Sequence, residues 1–201
     1  VRLKKVDTLN FSNSQSLALT LYIGKKKGSA STTELKPYGL DKVIDAALKI
    51  AEVSASDPCF GLAEKKLLST KHPDLNLYHP WNIDPANTID LCKQCEELSF
   101  AADHSIINSD GVSLSNYAGV FGYANTNGAE GIIYSSKHSI SCSLVGKKKN
   151  KLQRDYAYST ARDPKNLKTI EVLAHEAAQR TSKRLGAKKI KTQKSAVLFD
   201  A

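Results

Sequence analysis

The feature that most constrains this chain is the stretch from residue 105 to about 160. Alternation there, as in Ile140, Cys142 and Leu144, has the period of two that a strand requires. Turn signals interrupt it at Asp110-Gly111, at Asn127-Gly128, and at Gly146 with Asn150. The stretch therefore predicts an antiparallel meander of four or five strands. Strands grouped in this way, with helices elsewhere, imply an α+β fold: an antiparallel β-meander sheet packed with about three helices.

The flanking segments supply the rest. Leu17, Leu19, Leu21 and Ile23 share one face of a predicted strand, Lys25 to Gly28 form the expected turn, and residues 29–35 return. Pro37 opens a helix to about Ser54, with Leu40, Val43, Ile44, Ala47, Ile50 and Ala51 as its apolar stripe. Asp57-Pro58 breaks the chain, and residues 69–84 form an irregular connection rich in Pro and His. Asp84-Pro85 is an N-cap followed by Pro at the first helical position, and predicts a helix to about Ala102. After Asp163-Pro164 a third helix is expected from Thr169 to Leu185, ended by Gly186. Residues 1–6 and 196–199 read as strands, the latter followed by Asp200 and Ala201. A strand needs a neighbour for its backbone groups, so more chain is expected beyond both.

Charge limits the possible partners. The 201 residues carry 29 basic and 20 acidic groups, a net charge of +9. The excess is Lys, a hydrated point charge, whereas Arg is the usual reader of phosphates and base edges. Lys25 to Lys27 and Lys147 to Lys149 lie between predicted strands, where solvated turns are the simpler reading. Nucleic acid is therefore not the expected partner. Should a polyanion site exist, its residues would be Lys147, Lys148, Lys149, Lys151, Lys188 and Lys189. That alternative describes a basic module for nucleic acid or an acidic protein. No run of about 18 apolar residues occurs, so no membrane partner is expected, and nothing reads as a signal peptide; the cytoplasm is the expected compartment.

Several strings invite chemical readings. His175-Glu176 opens a metalloprotease-like pattern, but the position that should bring a second His is Gln179. Cys92 and Cys95 have CxxC spacing but fall mid-helix in line with Ile89, as core residues would. His72, His79, His104, His138 and His175 show no ligand spacing. No nucleophile elbow and no Walker loop is present. The segment from Arg154 to Tyr158 alternates aromatic and charged residues. Arg154, Tyr156 and Tyr158 are its candidates for peptide or partner contact, against cross-strand packing of the rings as the simpler account. No catalytic and no metal residue is assigned.

Taken in order, several strings resemble one family. They are Lys27-Gly28-Ser29-Ala30-Ser31, Asp57-Pro58 with Gly61-Leu62-Ala63, Asp74-Leu75 with Leu77 and His79-Pro80, Ser109-Asp110-Gly111, Lys137-His138-Ser139, and Arg154-Asp155-Tyr156-Ala157-Tyr158. Arg180 through Gly186, Ile190 and Val197-Leu198-Phe199 complete the set. It resembles the PmbA branch of the PmbA/TldD peptide-maturation metalloproteases, also described as modulators of DNA gyrase. The resemblance implies an α+β N-terminal domain over residues 1–190. Residues 191–201 would be a linker and first strand toward a β-rich C-terminal domain. It implies a cytosolic two-subunit assembly, or a homodimer, acting on extended peptides. Zinc would be held by an HExxxH motif on a TldD-like partner subunit, so no cofactor is expected in this chain. The expected role is peptide binding and assembly rather than catalysis.

Overall fold

Backbone freedom at one glycine closes the first hairpin. In the computed structural model, which describes residues 1–69 and 71–199, strand β1 (Leu17–Ile23) pairs antiparallel with β2 (Lys26–Thr32). Ile23 faces Lys26, so the loop is Gly24-Lys25 alone. Gly24 has φ +59°, as the first position of a type II′ turn requires. The turn is thus two residues earlier than Lys25 to Gly28, and Gly28 lies inside β2 opposite Leu21. Helix α1 (Pro37–Val53) packs on that face. A Cβ on Gly28 would run into the Ala47 carbonyl and the Ala51 amide. Only Gly39, Val43, Ala47 and Ala51 of α1 are buried, while Ile44 and Ile50 of the expected stripe are exposed. A helix on a two-stranded ribbon covers one narrow i, i+4 row.

These elements belong to one of two compact units, formed by Leu9–Asp74 with Phe121–Ile133. The other comprises Val1–Thr8, Leu75–Val120 and Tyr134–Ala201. Its sheet has the order β3 (Ile106–Ala124), β4 (Glu130–Lys148), β5 (Lys151–Ala161). The tips of β3 and β4 fall in the first unit. Helices α2 (Pro85–Ala102) and α3 (Ile170–Lys183) contribute to the same core. Asp84 caps α2 by accepting from the Asn87 amide, and Thr169 caps α3 from the Val172 amide. Cys92 and Cys95 of α2 join Ile140, Cys142 and Leu144 of β4 and Leu173, Ala174 and Ala177 of α3 in the core.

Three long strands replace the four or five expected, because two of the turn signals serve other purposes. Gly111, at φ +121°, interrupts β3 without ending it. Buried positions there run Ile106, Ser109, Val112, a break in the period of two. Gly146 admits a close approach of α3: a Cβ there would stand 3.2 Å from Thr181 and 3.4 Å from Leu185. The turns that do form hold Asn127-Gly128 and Lys149-Asn150.

Residues 1–6 are not a strand. Arg2 and Lys5 bridge each other around Leu3 and Lys4, whose φ angles are +49° and +64°. Val1 does pair, exchanging both backbone hydrogen bonds with Val112 at 2.8 Å each. Residues 187–199 carry no helix or strand, so the expected strand at 196–199 does not form; Asp200 and Ala201 lie outside the described residues.

Candidate binding surface

The alternation of β4 and β5 sorts their side chains onto two faces. Ser136, His138, Ile140, Cys142 and Leu144 are buried on the helix side of β4, as are Ala157 and Ser159 on β5. The opposite face is open. In register across it stand Lys147 with Leu152, Val145 with Arg154, Ser143 with Tyr156, Ser141 with Tyr158, and Ser139 with Thr160. The two tyrosines are 52% and 57% exposed. Cross-strand packing does not cover them, because their partners are serines. The rings lie against each other instead, with centroids 6.3 Å apart and planes at 28°. The Arg180 guanidinium sits 5.8 Å from the Tyr156 ring, within cation–π range. Arg154 reaches across the face to Asp110 at 2.8 Å.

The outer edge of β5 is closed beside these rings. The Asp155 carboxylate accepts from the Tyr156 amide at 2.8 Å and pairs with Arg184 at 3.3 Å. The Thr181 hydroxyl donates to the Asp155 carbonyl at 3.4 Å. The outer edge of β3 differs. Val1 occupies it at Val112, and among the described residues no backbone group pairs with it from Ser113 to Val120. The Asn116 side-chain amide donates to the Trp81 carbonyl at 2.7 Å.

The two lysine clusters have separate fates. Lys25 Nζ donates to the Phe60 carbonyl, Lys26 Nζ to the Glu52 carbonyl at the end of α1, and Lys27 approaches the Phe60 ring. These serve their own unit. Lys147, Lys148, Lys149 and Lys151 enter no ion pair with a described residue. Lys188 and Lys189 follow α3 in the irregular segment.

Among the described residues no group of three or more His, Cys, Asp or Glu is placed to hold a metal ion. His175 is exposed on α3, as the amphipathic reading has it. Cys92, Cys95 and Cys142 are buried free thiols and Cys59 is exposed. Cys142 accepts from Cys95, which together with burial holds the Cys95 thiol far above the ordinary range; burial also raises Cys92. Ser99 lies 3.3 Å from the Cys142 sulfur. Thiols so placed pack as small apolar groups.

Two buried polar groups carry no signal of their burial in the sequence. Glu96, 1% exposed, accepts from the Leu3 and Lys4 amides at 2.9 and 2.8 Å. His138 is buried, with Nε2 2.9 Å from the His79 carbonyl and Nδ1 without a partner among the described residues.

Comparison with known proteins places these features in a family. The profile of the PmbA/TldA metallopeptidase central domain matches residues 78–185, and that of domain 1 of the same group matches residues 1–51. Metalloprotease PmbA of Escherichia coli O157:H7 is 35% identical over 98% of this chain and 44% of its own length. The PmbA homologue of Haemophilus influenzae matches equally, at 35% over 98% of this chain and 44% of that protein. The chain thus spans less than half the length of these relatives. Among solved structures, a Thermotoga maritima protein described as a candidate modulator of a DNA gyrase superposes with a TM-score of 0.80. It shares 16% identity and covers 95% of this chain and 42% of its own. TldE from Thermococcus kodakarensis gives 0.75 at 17% identity, over 90% of this chain and 40% of that one, a likeness of fold.

Proposed function

The chain belongs to the PmbA/TldA metallopeptidase family, and on that premise we propose that it holds extended peptides and helps assemble the enzyme rather than cutting peptide bonds itself. The observation that carries this is the unpaired outer edge of β3 from Ser113 to Val120. A sheet edge offers N–H and C=O groups at regular spacing, and an extended chain can add as a further strand with little demand on its sequence. Peptide maturation calls for that tolerance. The closed edge of β5 directs such a strand to β3.

We assign catalysis elsewhere: the sequence carries no HExxH or HExxxH string, and among the described residues no group of three or more His, Cys, Asp or Glu is placed to hold a metal ion. The metal would come from a TldD-like partner subunit, or the working unit would be a dimer of two like chains. A cytoplasmic setting follows from the same reading, and no helix among the described residues is long and apolar enough to cross a membrane.

The test is hydrogen exchange with and without an unstructured polypeptide such as reduced, carboxymethylated casein. Amides from residues 113 to 120 should exchange more slowly when it is bound. Since the Val112 amide points outward to Val1, the Ala118 amide, six residues on, points outward too. Ala118→Pro removes that donor at a position where an edge strand tolerates Pro. It should weaken binding several-fold without unfolding the sheet. Unchanged protection in β3 would reject this edge as the site.

A further inference from the structure

We propose that the open face of the sheet around Tyr156 and Tyr158 is a binding site for single-stranded nucleic acid. Two requirements of such a site are met at one place. The first is a stacking platform: two tyrosine rings half exposed, adjacent, and left uncovered by Ser141 and Ser143. Bases stack on such rings whatever their sequence. The second is a cationic track along the backbone path. Lys147 shares this face, Lys148, Lys149 and Lys151 form the tip of the same hairpin, and Arg154 and Arg180 flank Tyr156. No acidic residue occurs between Gly131 and Arg154. The close approach of Thr181 and Leu185 to Gly146 puts the basic end of α3 past Arg180 against the buried face of this hairpin, where it adds positive potential without lining the open face.

Charge and sequence argue against nucleic acid when read alone; geometry changes the balance. Composition showed lysines in a turn, and the simplest account of the tyrosines was packing against cross-strand neighbours. Those neighbours are serines, so the rings, though they touch each other and Arg180, stay 52% and 57% exposed. An extended acidic peptide fits less well. Its natural mode is strand addition, and the neighbouring edge is already filled by the Asp155 carboxylate and the Thr181 hydroxyl. What remains open is a face, suited to flat π systems. Asp110 pairs with Arg154 at 2.8 Å and Asp155 with Arg180 at 3.9 Å, partly neutralising both, which leaves the hairpin lysines as the main phosphate contacts. The site is separate from the β3 edge and does not rest on the peptide-binding proposal.

The experiment is a fluorescence anisotropy titration of the 201-residue chain. The probes are a labelled single-stranded DNA dodecamer of mixed sequence, the same sequence as a duplex, and polyglutamate as competitor. The single strand should bind more tightly than the duplex, and polyglutamate should displace it poorly. Binding should weaken as salt rises, since phosphate contacts release counterions. The Tyr156→Ala/Tyr158→Ala double variant should lose about tenfold or more in single-strand affinity. Tyr156→Phe/Tyr158→Phe should retain affinity, because the ring and not the hydroxyl carries the stacking. Ultraviolet crosslinking of the unsubstituted protein, read by mass spectrometry, should place the adduct on Tyr156 or Tyr158 and needs no variant to fold. Absence of saturable single-strand binding would overturn the proposal. So would equal affinity for the duplex with no effect of the alanine pair, or adducts confined to other residues, since charge alone would then explain the binding.

Discussion

At Glu96 a carboxylate is buried because two backbone N–H groups require it. Leu3 and Lys4 both adopt left-handed backbone conformations, which costs energy in residues with a Cβ. Their amides point at the two Glu96 oxygens and hold the turn that sets Val1 against Val112. Glu96→Ala leaves two donors unpaired, and should cost about 2–4 kcal/mol of stability. Chemical denaturation checks it, with Glu97→Ala as the control, because Glu97 makes only an exposed pair with Lys4. Equal midpoints for the two variants would contradict this account. Sequence did not reveal Glu96, since a Glu-Glu pair on an amphipathic helix reads as its wet side. It did reveal Cys92 and Cys95 as core groups, because apolar spacing along α2 decides that without knowledge of a partner. Tyr156 and Tyr158 stood between. Their face was readable from alternation, but their exposure depends on which residues stand opposite, and pairing is a long-range fact.

Elements were legible where a local cause fixes them. Asp84-Pro85 begins α2 and Thr169 begins α3, because a cap and a proline act within a few residues. Strand ends were less legible, because glycine has several uses. Gly24 bends a turn, Gly111 breaks the period of β3, and Gly28 and Gly146 admit a helix at close range. Only the first is a local signal. The contact at Gly28 supports a prediction for its own unit. Gly28→Ala would press a methyl group into the backbone of α1, and should cost about 1–3 kcal/mol or more, as overpacking does. Hydrogen exchange should show lost protection in α1 and β2, whereas Gly122→Ala, where φ is not positive and the nearest atom to an added Cβ is Ile132 Cγ1 at 4.0 Å, should leave both unchanged. Intact protection in the Gly28 variant would mean that helix and ribbon pack less closely than described.

On the scale of the molecule, the α+β class was readable because grouped strands and separate helices leave few other architectures. The division into two units was not, because it depends on contacts between segments far apart in sequence, such as residues 121–133 with residues 9–74. The family was legible from ordered strings along the chain, and matching profiles over residues 1–51 and 78–185 support the same conclusion. The central claim is that this chain holds peptide without cleaving it. The most direct test is to incubate the purified chain with an unstructured polypeptide in the presence of added zinc. Co-elution is followed by gel filtration and the integrity of the peptide by mass spectrometry. The account predicts that the peptide co-elutes and stays intact, at every concentration of the chain. Cleavage products that accumulate in proportion to the chain would place a catalytic site within it and contradict the account.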